Sequence, residues 1–281
     1  MADELHDGVS GVSVTAAEVL SVRDVPLRRR LLAELLGSAF LAAVVIGSGI
    51  AAQNLSPGAT GLELLENAAA TAAGLFAIIL MFGAVSGGHF NPVVSFVDAA
   101  FGGLRWREAA AYLLAQVAGC IGGAVAANLM FAHAAVTISA KHRASPAHFL
   151  SEIIATLGLI LVIFALARTG RSGAVPAAVG AYIGAGYFFT SSTSFANPAI
   201  AVARMFSDTF AGIAPSSVPT FLVAEVIGGV LAVVVIRALY PGATPTKTDM
   251  SSDLSRLETP CTSSRSEAAM PGSAPHSAPA S

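Results

Sequence analysis

Two asparagine-proline pairs, Asn91-Pro92 and Asn197-Pro198, and three acids set in apolar sequence, Glu34, Glu152 and Glu225, are the residues whose types and places can do chemistry here. Asn is a favoured helix N-cap, and Pro is favoured at the first helical residue, where its missing N–H costs nothing, so each pair should start a helix. An acid inside an apolar stretch reads by default as a proton relay or an ion site. The apolar stretches hold no nucleophile, base and acid in combination and no metal-ligand cluster, so the chain reads as no enzyme, with no cofactor and no metal. Cys120 in an apolar run and Cys261 in a polar stretch lack metal-ligand spacing and are expected to be free thiols.

The elements that must carry these residues are membrane-spanning. With 54% hydrophobic and 11% charged residues and a mean hydropathy of +0.72, the chain is far more apolar than soluble domains. A formal net charge of −2 offers no basic surplus for phosphate, which excludes nucleic acid as a partner. Apolar runs of spanning length fall at 31–52, 67–86, 108–131, 149–168, 174–192 and 219–240. Arg and Lys concentrate on one side of these six spans, which predicts that both termini are cytoplasmic. Residues 1–30 are polar, carry Asp3, Glu4, Asp7 and Glu18, and do not have the layout of a signal peptide. From 241 to 281 the chain turns to Ser, Thr, Pro and scattered charge, which predicts a disordered cytoplasmic tail. Small residues four apart, such as Gly119 and Gly123 or Ala224 and Gly228, predict close helix packing within the bilayer.

The chain repeats itself. Glu34 near the start of a span, then Gly-Gly-His-Phe-Asn91-Pro92-Val93, then Gln116-Val-Ala-Gly119 matches Glu152, then Ser-Phe-Ala-Asn197-Pro198-Ala199, then Glu225-Val-Ile-Gly228. Three spans per half is an odd number, so the halves (31–131 and 149–240) must be inserted upside down relative to each other. Their Asn-Pro loops then approach from opposite sides. The first helix, running from Asn91 to the stop at Gly102-Gly103, would be about 16 Å long at 1.5 Å per residue, half a bilayer. Two such half-helices meeting end to end cross the membrane around a polar cavity.

Ser86-Gly-Gly-His89-Phe-Asn91-Pro92-Val93 and Asn197-Pro198-Ala199 resemble the paired signature loops of the aquaporin, or major intrinsic protein, family, over residues 31–240. The resemblance implies an all-α membrane protein of six transmembrane helices and two re-entrant half-helices, assembled as a homotetramer in the lipid bilayer. It implies that Asn91 and Asn197 offer amide donors to solute while the facing positive helix ends repel cations and protons. It also makes Glu34 and Glu152 scaffold acids for the two loops, and His89 a packing residue in preference to a pH gate.

The family's filter spacing points to Thr71, Ala185, Ser194 and Ile200, where relatives place bulkier or charged side chains, so a wider constriction without a fixed charge is expected. Residues 197–215 resemble the bacterial arsenic-resistance branch, which implies arsenous acid as a neutral solute beside glycerol-like polyols and water, and a bacterial inner-membrane location. Arg204 is either a displaced filter charge or the i, i+4 partner of Asp208, and the pair is favoured. An ordinary glycerol and water channel is the nearest alternative. An ion-coupled secondary transporter with inverted repeats is the alternative of a different class. Glu225 stands where an uncharged residue is expected.

Overall fold

The computed structural model describes residues 22–241. Most of the polar 1–30 segment, Cys261 and nearly all of the tail expected at 241–281 lie outside the described residues. Eight α-helices follow one another: α1 (Leu27–Leu55), α2 (Thr60–Ser86), α3 (Pro92–Ala100), α4 (Trp106–Met130), α5 (Pro146–Arg168), α6 (Val175–Phe189), α7 (Pro198–Ala203) and α8 (Val218–Leu239). Five of them, α1, α2, α4, α5 and α8 with the 3-10 turn that leads into it, are long and apolar enough to cross a membrane. The remaining long helix, α6, has 15 residues, about 22 Å at 1.5 Å per residue, and is preceded by a 3-10 turn at Ser172–Ala174. No strand occurs among the described residues.

The two halves pack alike. α1 lies along α4 and α5 along α8, while each short helix packs both within its own half and across to the other, α3 and α7 each touching α4 and α8. Matching glycines set the close approach. A Cβ on Gly119 would collide with the carbonyl oxygen of Leu35, and a Cβ on Gly228 would lie 2.6 Å from that of Ile153. Leu35 and Ile153 directly follow the repeat acids Glu34 and Glu152, so each glycine brings the third span of its half against the turn that carries the acid.

Polarity is distributed inside out. Large apolar side chains such as Leu114 (70% exposed) and Val234 (60% exposed) face outward, whereas Glu34, Gln116, Glu152 and Glu225 are fully buried. Water would not favour that surface, and lipid does. The first helix begins at Leu27, earlier than the apolar run starting at 31, because Arg30 belongs to the packed structure. Its Nη2 lies 2.6 Å from Glu108 Oε1, and both side chains are buried. A hydropathy window discards Arg30, since it scores the charge alone and does not see its partner.

Candidate functional site

Each Asn-Pro loop hangs on a buried acid. Glu34 Oε1 accepts from Ser86 Oγ (2.6 Å) and the His89 amide (3.0 Å), and Oε2 accepts from the Phe90 amide (2.7 Å) and Gln116 Nε2 (2.8 Å). In the second half Glu152 accepts from the amides of Phe195 (3.0 Å) and Ala196 (2.7 Å), and Glu225 accepts from the Asn197 amide (3.0 Å). These carboxyl oxygens satisfy loop amides that would otherwise be orphaned at membrane depth.

The loops then lock to each other. Phe90 (φ 47°) and Ala196 (φ 45°), the residues just before the two asparagines, both adopt the left-handed conformation that L side chains disfavour. That turn aims each carbonyl at the opposite loop. Asn91 Nδ2 donates to Ala196 O at 2.6 Å, and Asn197 Nδ2 donates to Phe90 O at 2.8 Å. The side-chain oxygens cap their own helices, Asn91 accepting from the Val93 amide and Asn197 from those of Ala199 and Ile200. Pro92 and Pro198 fill the first helical positions. Each NH2 group has a second hydrogen beyond the one bonded across, and both asparagines line a common cavity.

That cavity has a volume of about 180 Å³. Near one end it meets His89 and Asp98, in the middle Asn91 and Asn197, and towards the other end Thr71, Tyr187, Ser194, Ile200 and Arg204. Aliphatic side chains including Leu41, Val45, Leu75 and Leu159 form much of the rest of its wall. Polar donors on a largely aliphatic wall suit a small solute with hydroxyl groups and a hydrocarbon-like side. His89 is held by Ser95 Oγ at 3.1 Å from Nδ1, by Asp98 Oδ2 at 4.0 Å from Nε2 and edge-on by Tyr112.

Three expectations about the far end are corrected. Ala185 does not line the cavity and is exposed on α6. Ile183 and Tyr187, four residues apart on one helix face, line it instead, and a residue two positions from either is turned to the opposite side. The Tyr187 hydroxyl lies 3.0 Å from Thr71 Oγ1.

Arg204 does not pair with Asp208. α7 ends at Ala203 and a 3-10 turn takes over at Arg204–Phe206, so helical i, i+4 spacing does not hold there. Asp208 accepts from the Ala140 amide at 3.0 Å, whereas Arg204 is buried, donates from Nε to Ala211 O and stacks its guanidinium on Phe195, 3.5 Å from the ring centroid. A positive charge therefore does stand in the cavity wall, contrary to the expectation of an uncharged constriction. Tyr187 and Asp98 were not singled out from sequence. The Ile183–Tyr187 spacing was the available sign of the first, and nothing short of the α3 fold marks the second.

The sequence matches the family model described as "Major intrinsic protein" over residues 21–235. It is 47% identical over 224 residues to the aquaglyceroporin AqpS of Rhizobium meliloti, covering 80% of this chain and 95% of that one. It is 33% identical over 144 residues to aquaporin NIP1-4 of rice, covering 50% of this chain and 51% of the relative. The fold also resembles the X-ray structure of the aquaglyceroporin from Plasmodium falciparum, with a TM-score of 0.60 at 21% identity, covering 75% of this chain and 96% of that one. The helix order, the crossed half-helices and the extent of the sequence match lead to one conclusion: this chain belongs to the major intrinsic protein family, as a multi-pass membrane protein and a passive channel.

Proposed function

We propose that the channel passes water and small uncharged polyols such as glycerol, with arsenous acid among its solutes, through the cavity between the two Asn-Pro loops. One observation carries the reading: a single cavity reaches from His89 past both asparagine amides to Arg204, with hydrogen-bonding groups in an otherwise aliphatic wall. A trihydroxy solute trades its water shell for donors at Asn91, Asn197 and Arg204 and for the hydroxyls of Tyr187 and Ser194, and turns its remaining surface to Leu41, Val45 and Ile200. Thr71, Ser194, Ile200, Tyr187 and Arg204 form the selective end in this reading, with Phe195 holding the guanidinium. Glu34, Glu152 and His89 keep the loops in place and do not carry ions. The N-terminal ends of α3 and α7 put helix-dipole positive charge at the meeting point, which opposes cations and protons.

Residues 31–240 constitute the channel domain, in a bacterial inner membrane with both termini cytoplasmic and four copies per assembly, each with its own pore. The test is reconstitution of the purified protein in liposomes and measurement of water, glycerol and arsenous acid flux at neutral pH. All three should exceed empty-liposome leakage. Water flux without flux of either polyol would refute the polyol part of the reading.

A further inference from the structure

Glu225 is the acid to which the loop scaffold of this family gives no task. In the repeat it stands where Gln116 stands, and the two positions can be compared bond by bond. Gln116 Nε2 donates to Glu34 Oε2 at 2.8 Å behind the first loop. Behind the second loop Glu152 and Glu225 bind adjacent amides, Glu152 Oε2 accepting from Ala196 and Glu225 Oε1 from Asn197. Both acids are fully buried, neither forms an ion pair within 4.0 Å among the described residues, and no donor among those residues reaches Glu225 Oε2. Two carboxylates without a counter-ion in contact, removed from water, is an arrangement that ionised groups do not tolerate, whereas one proton held between them relieves it.

We propose that Glu152 and Glu225 form a proton-binding site that shares one proton between the two carboxyl groups and thereby fixes Asn197 at the cavity. The protonated acid does for Glu152 what the Gln116 amide does for Glu34. The pair together then holds three consecutive amides, those of Phe195, Ala196 and Asn197. Removing the proton sets two like charges against each other. Glu225 then withdraws from the Asn197 amide, and the bond from Asn197 Nδ2 to Phe90 O loses its support.

The surroundings fit a pair that carries a single negative charge. Arg204, just after α7, and Arg143, in the loop before α5, both interact electrostatically with Glu152. On α5 the other titratable groups are His148, one turn before Glu152, and Arg168 at the far end; α3 contributes Asp98. On α8 the remaining charged side chain is Arg237, about 18 Å along the helix at 1.5 Å per residue.

The experiment is infrared spectroscopy of the full chain in liposomes, paired with stopped-flow water flux, from neutral to strongly alkaline pH. At neutral pH the wild type should show a protonated-carboxyl C=O band that is absent from Glu225→Gln. Raising the pH should remove this band and lower water flux severalfold in step. Glu225→Ala should lose flux at every pH, and Glu225→Gln should restore it without the alkaline fall, because the amide donates permanently. The proposal is overturned if Glu225→Gln leaves the band in place, or if it shows the same alkaline fall as the wild type. Should that variant fail to insert, the wild type alone decides, since flux that falls while the band persists, or no band at all, overturns it. The infrared result holds whichever solute the channel carries.

Discussion

Replacing Glu34 by glutamine changes one oxygen to an amide and little else in size, so it isolates the acceptor chemistry that holds the first loop. Oε1 takes a hydroxyl and one amide N–H, and Oε2 takes one amide N–H and the Gln116 NH2. Whichever oxygen becomes NH2, at least one backbone N–H then faces a donor. If the new amide points to the Ser86 side, Ser86 can rotate and accept, but the His89 amide is orphaned; on the other side the Phe90 amide is orphaned and Gln116 loses its bond to Glu34, keeping the one to Ser95 Oγ. Hydrogen bonds to a charged group are worth about 1.5–3 kcal/mol each, so losing one or two of them costs about 2–6 kcal/mol. At about 2–4 °C per kcal/mol for a chain of this size, the melting temperature should fall by about 10 °C. Thermal unfolding of the purified protein in detergent, followed by intrinsic fluorescence, measures this directly. A variant that melts within about 2 °C of the wild type would refute the claim that Glu34 anchors the loop through its charge.

Asn91→Leu and Asn197→Leu each remove a helix cap, a crossed hydrogen bond and a cavity donor, and should cut water and glycerol flux at least tenfold in inserted protein; flux near the wild-type level would move the pore elsewhere. Gly119→Ala forces a methyl group into the Leu35 carbonyl and should sharply reduce the yield of folded protein, as overpacking typically costs about 1–3 kcal/mol; Gly122→Ala meets open space and serves as control. Arg204→Ala should raise glycerol flux relative to water severalfold, while Asp208→Ala leaves the ratio within about 20% of wild type; the reverse pattern in liposome assays would restore the surface-pair reading of these two residues.

What was legible in the sequence had local chemistry behind it. Asn-Pro is a cap and a first helical residue wherever it occurs, so Asn91-Pro92 and Asn197-Pro198 announced the starts of α3 and α7 without any tertiary context. The apolar spans, and with them the helix order, followed from hydropathy. Errors arose where a distant partner decides the outcome. Arg30 enters α1 because Glu108, 78 positions away, neutralises it. The family's filter spacing points to Ala185, but it presumes a loop path that here turns through left-handed Thr193 and Ser194 and leaves Tyr187 on the cavity face. Helical spacing matches Arg204 to Asp208, but α7 ends one residue before Arg204. Glu225 is anomalous in sequence because its meaning lies in the Asn197 amide it holds, next to the Ala196 amide on Glu152, an arrangement that only folding creates.

The measurement that bears most directly on passive conduction is glycerol uptake into liposomes carrying the wild-type channel, followed by light scattering over a wide concentration range, with and without an imposed proton or sodium gradient. A pore between Asn91 and Asn197 predicts an initial rate that rises linearly with glycerol concentration and ignores both gradients. A rate that saturates at low glycerol and follows either gradient would contradict it and identify a coupled carrier.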